Sequence, residues 1–491
     1  MKNKNKFIIC KKMLKNEFKN VISLVDGYFL NYNDMKVEVN ADRTVVLLGH
    51  AWQATSGAVS PSEYVRSAEA NDVASILREE MGWVGRYTLI VGSSVYLDYG
   101  GQMGAFISDH AVSNSLRVLR QYNSLDFVNP KLTHDLSPDF MLGAYTMYPE
   151  IQRLLPGQRF DYRENRVYER SIFPENPFED MNTDEIYETF ESLFISSLRN
   201  MVKEFPDSDI ALALSGGYDS RTAFALLCAS GVNFRAFTLE HPKITRGDID
   251  LPKRLSSRMG IHHDYIPRRK SDHDSHREKQ FDEENEYLVV DEDRGFYAYG
   301  QYQQVKKDKP ILILRSGLWA TIREPYFNDS IPVNRERFRK LYPALALDER
   351  RMASFDSYMD YMEHGELNRD VDPQDRMYLE IRVGCWRADI ENSFDMMDGI
   401  ESVDPVNSRM LMVLLRMLDH EEKEGKKHEI RITREVCPEI SDIPYEHDYQ
   451  KNALVSRVGR AIRWRARAFM FVLRQYGVQG LNRYRQALRK K

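Results

Sequence analysis

The sequence predicts two successive layered domains: an antiparallel α+β module, then an α/β module on a doubly wound parallel sheet with a helical C-terminal part. Three observations carry this expectation. Short β-rich runs separated by glycine turns fill the first part of the 491-residue chain. Apolar runs at 210–214, 234–239, 263–266 and 311–314 then alternate with helical periodicity, as strand–helix units of a parallel sheet require. From about Pro332 the pattern reads helical to the end.

In the first module the apolar runs at 45–48, 86–91, 95–97 and 105–107 read as strands, with Gly49, Gly92, Gly100 and Gly101 at turns between some of them. Residues 60–81 and 110–122 carry helical periodicity. A last hairpin ends near Tyr168, and 171–181, with Pro174 and Pro177, reads as a linker. The second module opens on a marked helix start, with Asn182 as cap and Glu185 at the capping-box position. Ile186, Phe190, Leu193, Phe194, Leu198 and Met201 follow as one apolar stripe. The expected division is 1–170, 182–452 and a basic tail at 453–491.

Composition narrows the class. Hydrophobic content of 42% with 29% charged residues is that of a soluble globular protein. A net charge of −5 excludes a generally basic nucleic-acid binder, though not a local patch. Cys10, Cys228, Cys385 and Cys437 form no Cys-X-X-Cys pattern, so a reducing cytoplasm is expected. Phe7-Ile-Ile-Cys10 is too short for a leader and is interrupted by Lys11 and Lys12. The charged stretch 270–286, with His273 and His276, reads as a solvated element rather than a metal site.

The chemistry concentrates in Ser215-Gly216-Gly217-Tyr218-Asp219-Ser220, between a buried strand and a helix. Gly216 and Gly217 are expected to take backbone conformations closed to other residues. Several N–H groups can then converge on an anion at a helix N-terminus. Ser215 and Ser220 add hydroxyls. Asp219 fits there if a cation, most simply Mg²⁺, lies between it and phosphate. The bland alternative is a Gly-Gly turn that only connects two elements.

The hexapeptide resembles the PP-loop of ATP pyrophosphatases. Around it, segments in the right order resemble the asparagine-synthetase-like family over most of the chain. Gly85-Arg86-Tyr87, Asp98, Gly101 and Gly104 are similar to its Ntn-type, class II amidotransferase domain, and Leu155-Pro156-Gly157 to that domain's close. Thr238, Leu239, Asp248 and Gly260-Ile-His-His263 match its adenine nucleotide alpha hydrolase-like second domain, and Gly399-Ile-Glu401 its synthetase centre. The resemblance implies an asparagine synthase-like ligase that uses ATP and Mg²⁺ to adenylate a carboxylate for attack by ammonia or a small amine. Ser215, Gly216, Gly217, Asp219 and Ser220 would hold phosphate and Mg²⁺, and Leu214 and Leu239 the adenine. Glu401 would position the amine, and Lys451 would balance charge at the reacting centre.

Four departures qualify that implication. Lys2 stands where a working amidotransferase has its nucleophilic Cys, so glutamine hydrolysis is not expected and free ammonia, a separate glutaminase or the substrate's own amine would supply nitrogen. Arg315-Ser316-Gly317 replaces an acidic loop, with Glu324, Arg315 and Arg323 as partial compensation. Tyr218 and Arg221 replace the usual Leu and Ser, Arg221 being expected to add positive charge beside the phosphates. Val403-Asp-Pro405-Val-Asn407 departs from the aspartate-recognition segment, so the carboxylate is not fixed as aspartate. Such departures resemble members that modify surface polysaccharides or peptides; a nucleotide-binding pseudoenzyme serving as scaffold is the competing class. The tail is read three ways: a helix packed on the domain, a peripheral contact with an anionic membrane, or nucleic-acid binding, the last not expected.

Overall fold

The computed structural model describes residues 3–489, apart from 131, 133–135, 242–243, 270–274, 290–295, 324, 327–332 and 450–453; at 275–278, 296–299 and 454–464 it describes backbone only. Among the described residues, twelve strands build the N-terminal domain: β1 (Phe7–Cys10), β2 (Asn20–Ser23), β3 (Phe29–Tyr32), β4 (Val37–Val39), β5 (Val45–Gln53), β6 (Trp83–Val91), β7 (Ser94–Leu97), β8 (Phe106–Ser108), β9 (Ala111–Ser113), β10 (Gln152–Arg153), β11 (Gln158–Asp161) and β12 (Arg166–Glu169). They form two antiparallel sheets, ordered β10-β8-β9-β1-β3-β2 and β12-β11-β7-β6-β5-β4. Phe7, Ile9, Leu30, Val46, Leu48, Ile90, Leu97 and Phe160 fill the space between them. Outside, Val65 and Ile76 pack on one sheet and Leu116 and Leu119 on the other, giving four layers.

The structure refines two sequence readings and corrects a third, that of 110–122. Residues 60–81 form two helices, Pro61–Ser67 and Val73–Glu80, each with its own side-chain cap, Ser60 and Asp72. Residues 110–122 are not all helical, because Ala111–Ser113 pairs with both β8 and β1 and the helix starts only after the Ser115 cap. Phe7–Cys10, notable in the sequence only as too short for a leader, is the buried centre of a sheet.

The second domain holds a parallel sheet of β13 (Asp209–Ala213), β14 (Arg235–Leu239), β15 (His263–Ile266), β16 (Ile311–Leu314) and β17 (Ile400–Val403), ordered β15-β14-β13-β16-β17. Alternation along each strand divides the faces. Leu212 and Leu312 pack under helices Thr183–Glu204, Tyr218–Ser230 and Arg409–Met417; Ala211, Ile311 and Ile313 pack toward Val305, Ile390 and Phe394. The capping box of Asn182 and Glu185 forms as expected. The expected all-helical C-terminal part is interrupted by β17, which completes the sheet beside β16.

One core and a buried polar seam join the domains. Trp52, Val84 and Tyr99 pack in the same cluster as Phe190, Phe194 and Leu198. Arg86 makes a two-pronged contact with Asp395 (2.6 and 2.9 Å), Arg153 reaches Asp389 at 2.8 Å, and Arg409 reaches Glu80 at 2.6 Å. Asn407 donates to Asp98 and accepts from the Gly100 N–H. No helix among the described residues is long and apolar enough to cross a membrane.

Candidate functional site

A cavity of about 530 Å³ opens at the carboxyl ends of β13, β14 and β16, where ligands of open parallel sheets bind. Leu214, Ser215, Gly217, Asp219, Ser220 and Leu239 all line it. Gly216 lies one layer behind. Its N–H donates to Asp248 (3.0 Å), whose other oxygen accepts from Thr245. Thr238 donates to the Leu214 carbonyl at 2.7 Å, pinning the start of the loop.

The loop closes on itself: the Ser215 N–H donates to Ser220 Oγ (3.1 Å), and the Gly217 N–H to Ser215 Oγ (3.3 Å). Gly217 then caps the thirteen-residue helix Tyr218–Ser230 with no side-chain bond, leaving the positive end of the helix toward the cavity. The expected special backbone angles are not what the glycines supply. Neither has positive φ, and Gly217 sits at −77°. Gly216 is needed for close approach: a Cβ there would stand 3.0 Å from Glu446 Cβ, the Gly247 carbonyl and Leu251 Cδ1.

Asp219 is held by protein. Arg323 approaches its two oxygens at 3.0 and 3.5 Å and also donates to Glu429 at 2.6 Å. Glu429 is fully buried, and its Oε1 accepts no hydrogen bond among the described residues. Burial, then the neighbouring charge of Asp219, pushes the Glu429 carboxyl up to about 8. Burial is the largest influence on Asp219 and would raise it, but Arg323, the hydrogen bond with Glu429 and the charge of Lys426 together outweigh it and hold that carboxylate below its usual range. His428, buried 4.0 Å from Glu429, is pushed down to about 3 by burial and by Arg323.

The opposite flank, beyond β16, carries Arg315, Ser316 and Arg387, and Tyr302 lines the cavity edge-on to Phe237. Arg387 ends a π-type segment, Tyr378–Arg387, that continues into the helix Ala388–Phe394. That winding places Glu391 behind both guanidinium groups, 3.5 Å from Arg315 and 3.3 Å from Arg387. Gly317 makes room, since a Cβ there would collide with the Arg387 guanidinium. Asp404 accepts the Gly317 and Leu318 N–H groups (2.6 and 3.1 Å), and burial pushes its carboxyl up to about 6.

Arg221 does not face the cavity. It donates to the Ile443 and Pro444 carbonyls, each at 2.6 Å, and lies over the Tyr445 ring, which stacks on Tyr218. The expectation of an extra charge beside the phosphates is therefore corrected: Arg221 fastens the 443–445 segment against the loop helix. Glu401 lines a separate cavity of about 40 Å³ with His50, Arg86 and Asp395. The structure does not bring it together with the loop. Lys2, Glu324 and Lys451 lie outside the described residues. Arg387, Tyr302, Lys426 and the Arg323–Glu429 pair are site residues that sequence reasoning missed or left without a place, and no local motif marks them.

No family model matches the chain, and no curated protein matches it. Among solved structures, it is similar to a glutamine-dependent NAD+ synthetase from Acinetobacter baumannii in complex with ADP, at 13% identity and a TM-score of 0.22. That match covers 34% of this chain and 30% of the other. It is also similar to an NMN synthetase from Francisella tularensis (15%, TM-score 0.20) and an NH3-dependent NAD synthetase from Campylobacter jejuni (16%, TM-score 0.21). Each of these two matches covers 40% of this chain and 92% of the other. Likenesses at such TM-scores carry no argument about function.

Proposed function

We propose that the chain is an ATP-dependent ligase that forms AMP and pyrophosphate, activating a substrate carboxylate as its adenylate and passing the acyl group to ammonia or a small amine. The observation that supports it is the lining of one cavity by Leu214, Ser215, Gly217, Asp219, Ser220 and Leu239 at the open end of a helix. Phosphate suits the Ser215–Ser220 turn, and adenine suits the apolar side formed by Leu214, Phe237 and Leu239.

A carboxylate oxygen attacks the α-phosphorus, the bond to the β-phosphate oxygen breaks, and pyrophosphate leaves. The amine nitrogen then attacks the acyl carbon, AMP departs with the carbon–oxygen bonding electrons, and the nitrogen loses a proton. Arg315 and Arg387 flank the side away from the adenine pocket, where the substrate's acidic group would lie. Mg²⁺ fits only as an ion carried in on the phosphates, because Asp219 already shares its charge with Arg323; there it would neutralise phosphate charge. We assign Glu401 no step, since it lines a different cavity. An asparagine synthase-like reaction in polysaccharide or peptide modification, fed by free ammonia or a separate glutaminase, is the finer reading.

ATP–pyrophosphate exchange across a panel of carboxylates, including aspartate and uronic acids, tests the proposal. Exchange with at least one acid, abolished in Asp219→Ala while the protein stays folded, is expected. The hold of Arg323 on Asp219 favours a second reading, a nucleotide-binding scaffold. ATP binding without exchange on any acid would establish that reading instead.

A further inference from the structure

Charge is unevenly distributed along this chain. The final 39 residues, 453–491, hold eleven Lys and Arg and none of the 74 acids, although the chain as a whole is at −5. The other 452 residues therefore carry the entire acidic surplus. This segment forms the helix Leu454–Arg489, broken at Gly477 (φ +65°). Ala468, Val472 and Tyr484 face inward against Leu136, Ala344 and Leu347, and Tyr484 returns edge-on to Phe469.

The outward face is amphipathic in its own right. Met470, Leu473 and Val478 are 54%, 38% and 66% exposed. Arg465, Arg467, Arg474, Arg483, Arg485 and Arg489 are exposed around them. None of these six forms an ion pair among the described residues. Large apolar side chains set in a cationic face suit a surface that offers both hydrocarbon and negative charge.

We propose that the C-terminal helix docks this protein on an anionic lipid bilayer, with Met470, Leu473 and Val478 entering the headgroup layer and the arginines pairing with lipid phosphates and carboxylates. Charge complementarity selects this occupant. A lipid surface also accounts for the exposed apolar residues, which backbone contacts to a nucleic acid would leave without a role. The acidic remainder of the chain is repelled by the same surface, so contact is confined to the tail.

The test is vesicle flotation of the full chain. Binding is expected to vesicles with about 30 mol% phosphatidylserine at about 0.1 M salt, and to fall at least tenfold at high salt. Vesicles of phosphatidylcholine alone should bind at least tenfold less. Met470→Glu with Leu473→Glu should lower binding at least tenfold with the thermal unfolding midpoint unchanged, both side chains being exposed. Arg467→Gln with Arg474→Gln should weaken it in a salt-dependent way. The same preparations are titrated with poly(U). Absence of phosphatidylserine-dependent flotation overturns the proposal. So does tighter binding to poly(U) than to vesicles, with the Met470 and Leu473 variants unaffected.

Discussion

Glu429 gives the most informative single perturbation, because its proton is tied to the loop's own carboxylate. It is fully buried, accepts from Arg323 at 2.6 Å, and titrates near 8 because burial and then the charge of Asp219 oppose ionisation. In the unfolded chain a glutamate titrates at about 4.3. Between those values the folded protein holds a proton that the unfolded chain has released. Stability from this group is therefore complete below about 4.3 and is lost as pH rises through the folded value, at up to about 1.4 kcal/mol per pH unit. Glu429→Gln keeps the shape and the acceptor for Arg323 but cannot titrate. The stability of the variant relative to wild type should improve by about 2 kcal/mol between pH 5.5 and 7. Urea denaturation of both proteins at matched pH measures this, and the titrations of groups not coupled to Glu429 cancel in the difference. Parallel pH–stability curves would show that Glu429 is ionised in the native protein and would refute the reasoning.

Other expectations rest on the same geometry. Arg86→Met leaves Asp395 buried with Lys6 as its remaining cation and should cost about 3–5 kcal/mol in denaturation experiments; a loss below about 1 kcal/mol would contradict the described seam. Gly216→Ala pushes on Leu251 and on the segment carrying Glu446. It should cost about 1–3 kcal/mol and weaken binding of a non-hydrolysable ATP analogue, and calorimetry showing wild-type affinity would argue against the loop as the phosphate site. Cys10 is buried, and burial raises its thiol; glutamate release from glutamine should therefore stay at background, and appreciable release would overturn the expectation that this chain does not hydrolyse glutamine.

What could be read from the sequence was local. The runs at 210–214, 234–239, 263–266 and 311–314 were visible because strands buried on both faces are continuously apolar. β17 was not, since Glu401 and Ser402 interrupt its run where it faces the other domain and the Glu391 carboxylate. The loop motif led to five residues of one cavity, Leu214, Ser215, Gly217, Asp219 and Ser220, because its spacing is short-range chemistry, while Leu239 came from the resemblance around the next strand. The far wall had no such signature. Arg315, Arg387 and Glu391 converge only through a crossover and a π-wound segment, and Arg323 meets Asp219 across more than a hundred residues. The direction of Arg221 depends on two carbonyls at 443 and 444, which no pattern around the loop announces.

The seam of Arg86–Asp395, Arg153–Asp389, Arg409–Glu80 and Asn407–Asp98 has a consequence for dissection of the molecule. A protease cut within 171–181 would sever the backbone without parting the pieces, because separation would strip each half of the counter-charges its interior was built around. The nicked protein should migrate as one particle on a sizing column and as two bands only after denaturation. Expressed singly, each half would have to hydrate charges that the other now neutralises, so the two halves are best regarded as one folding unit written in two segments.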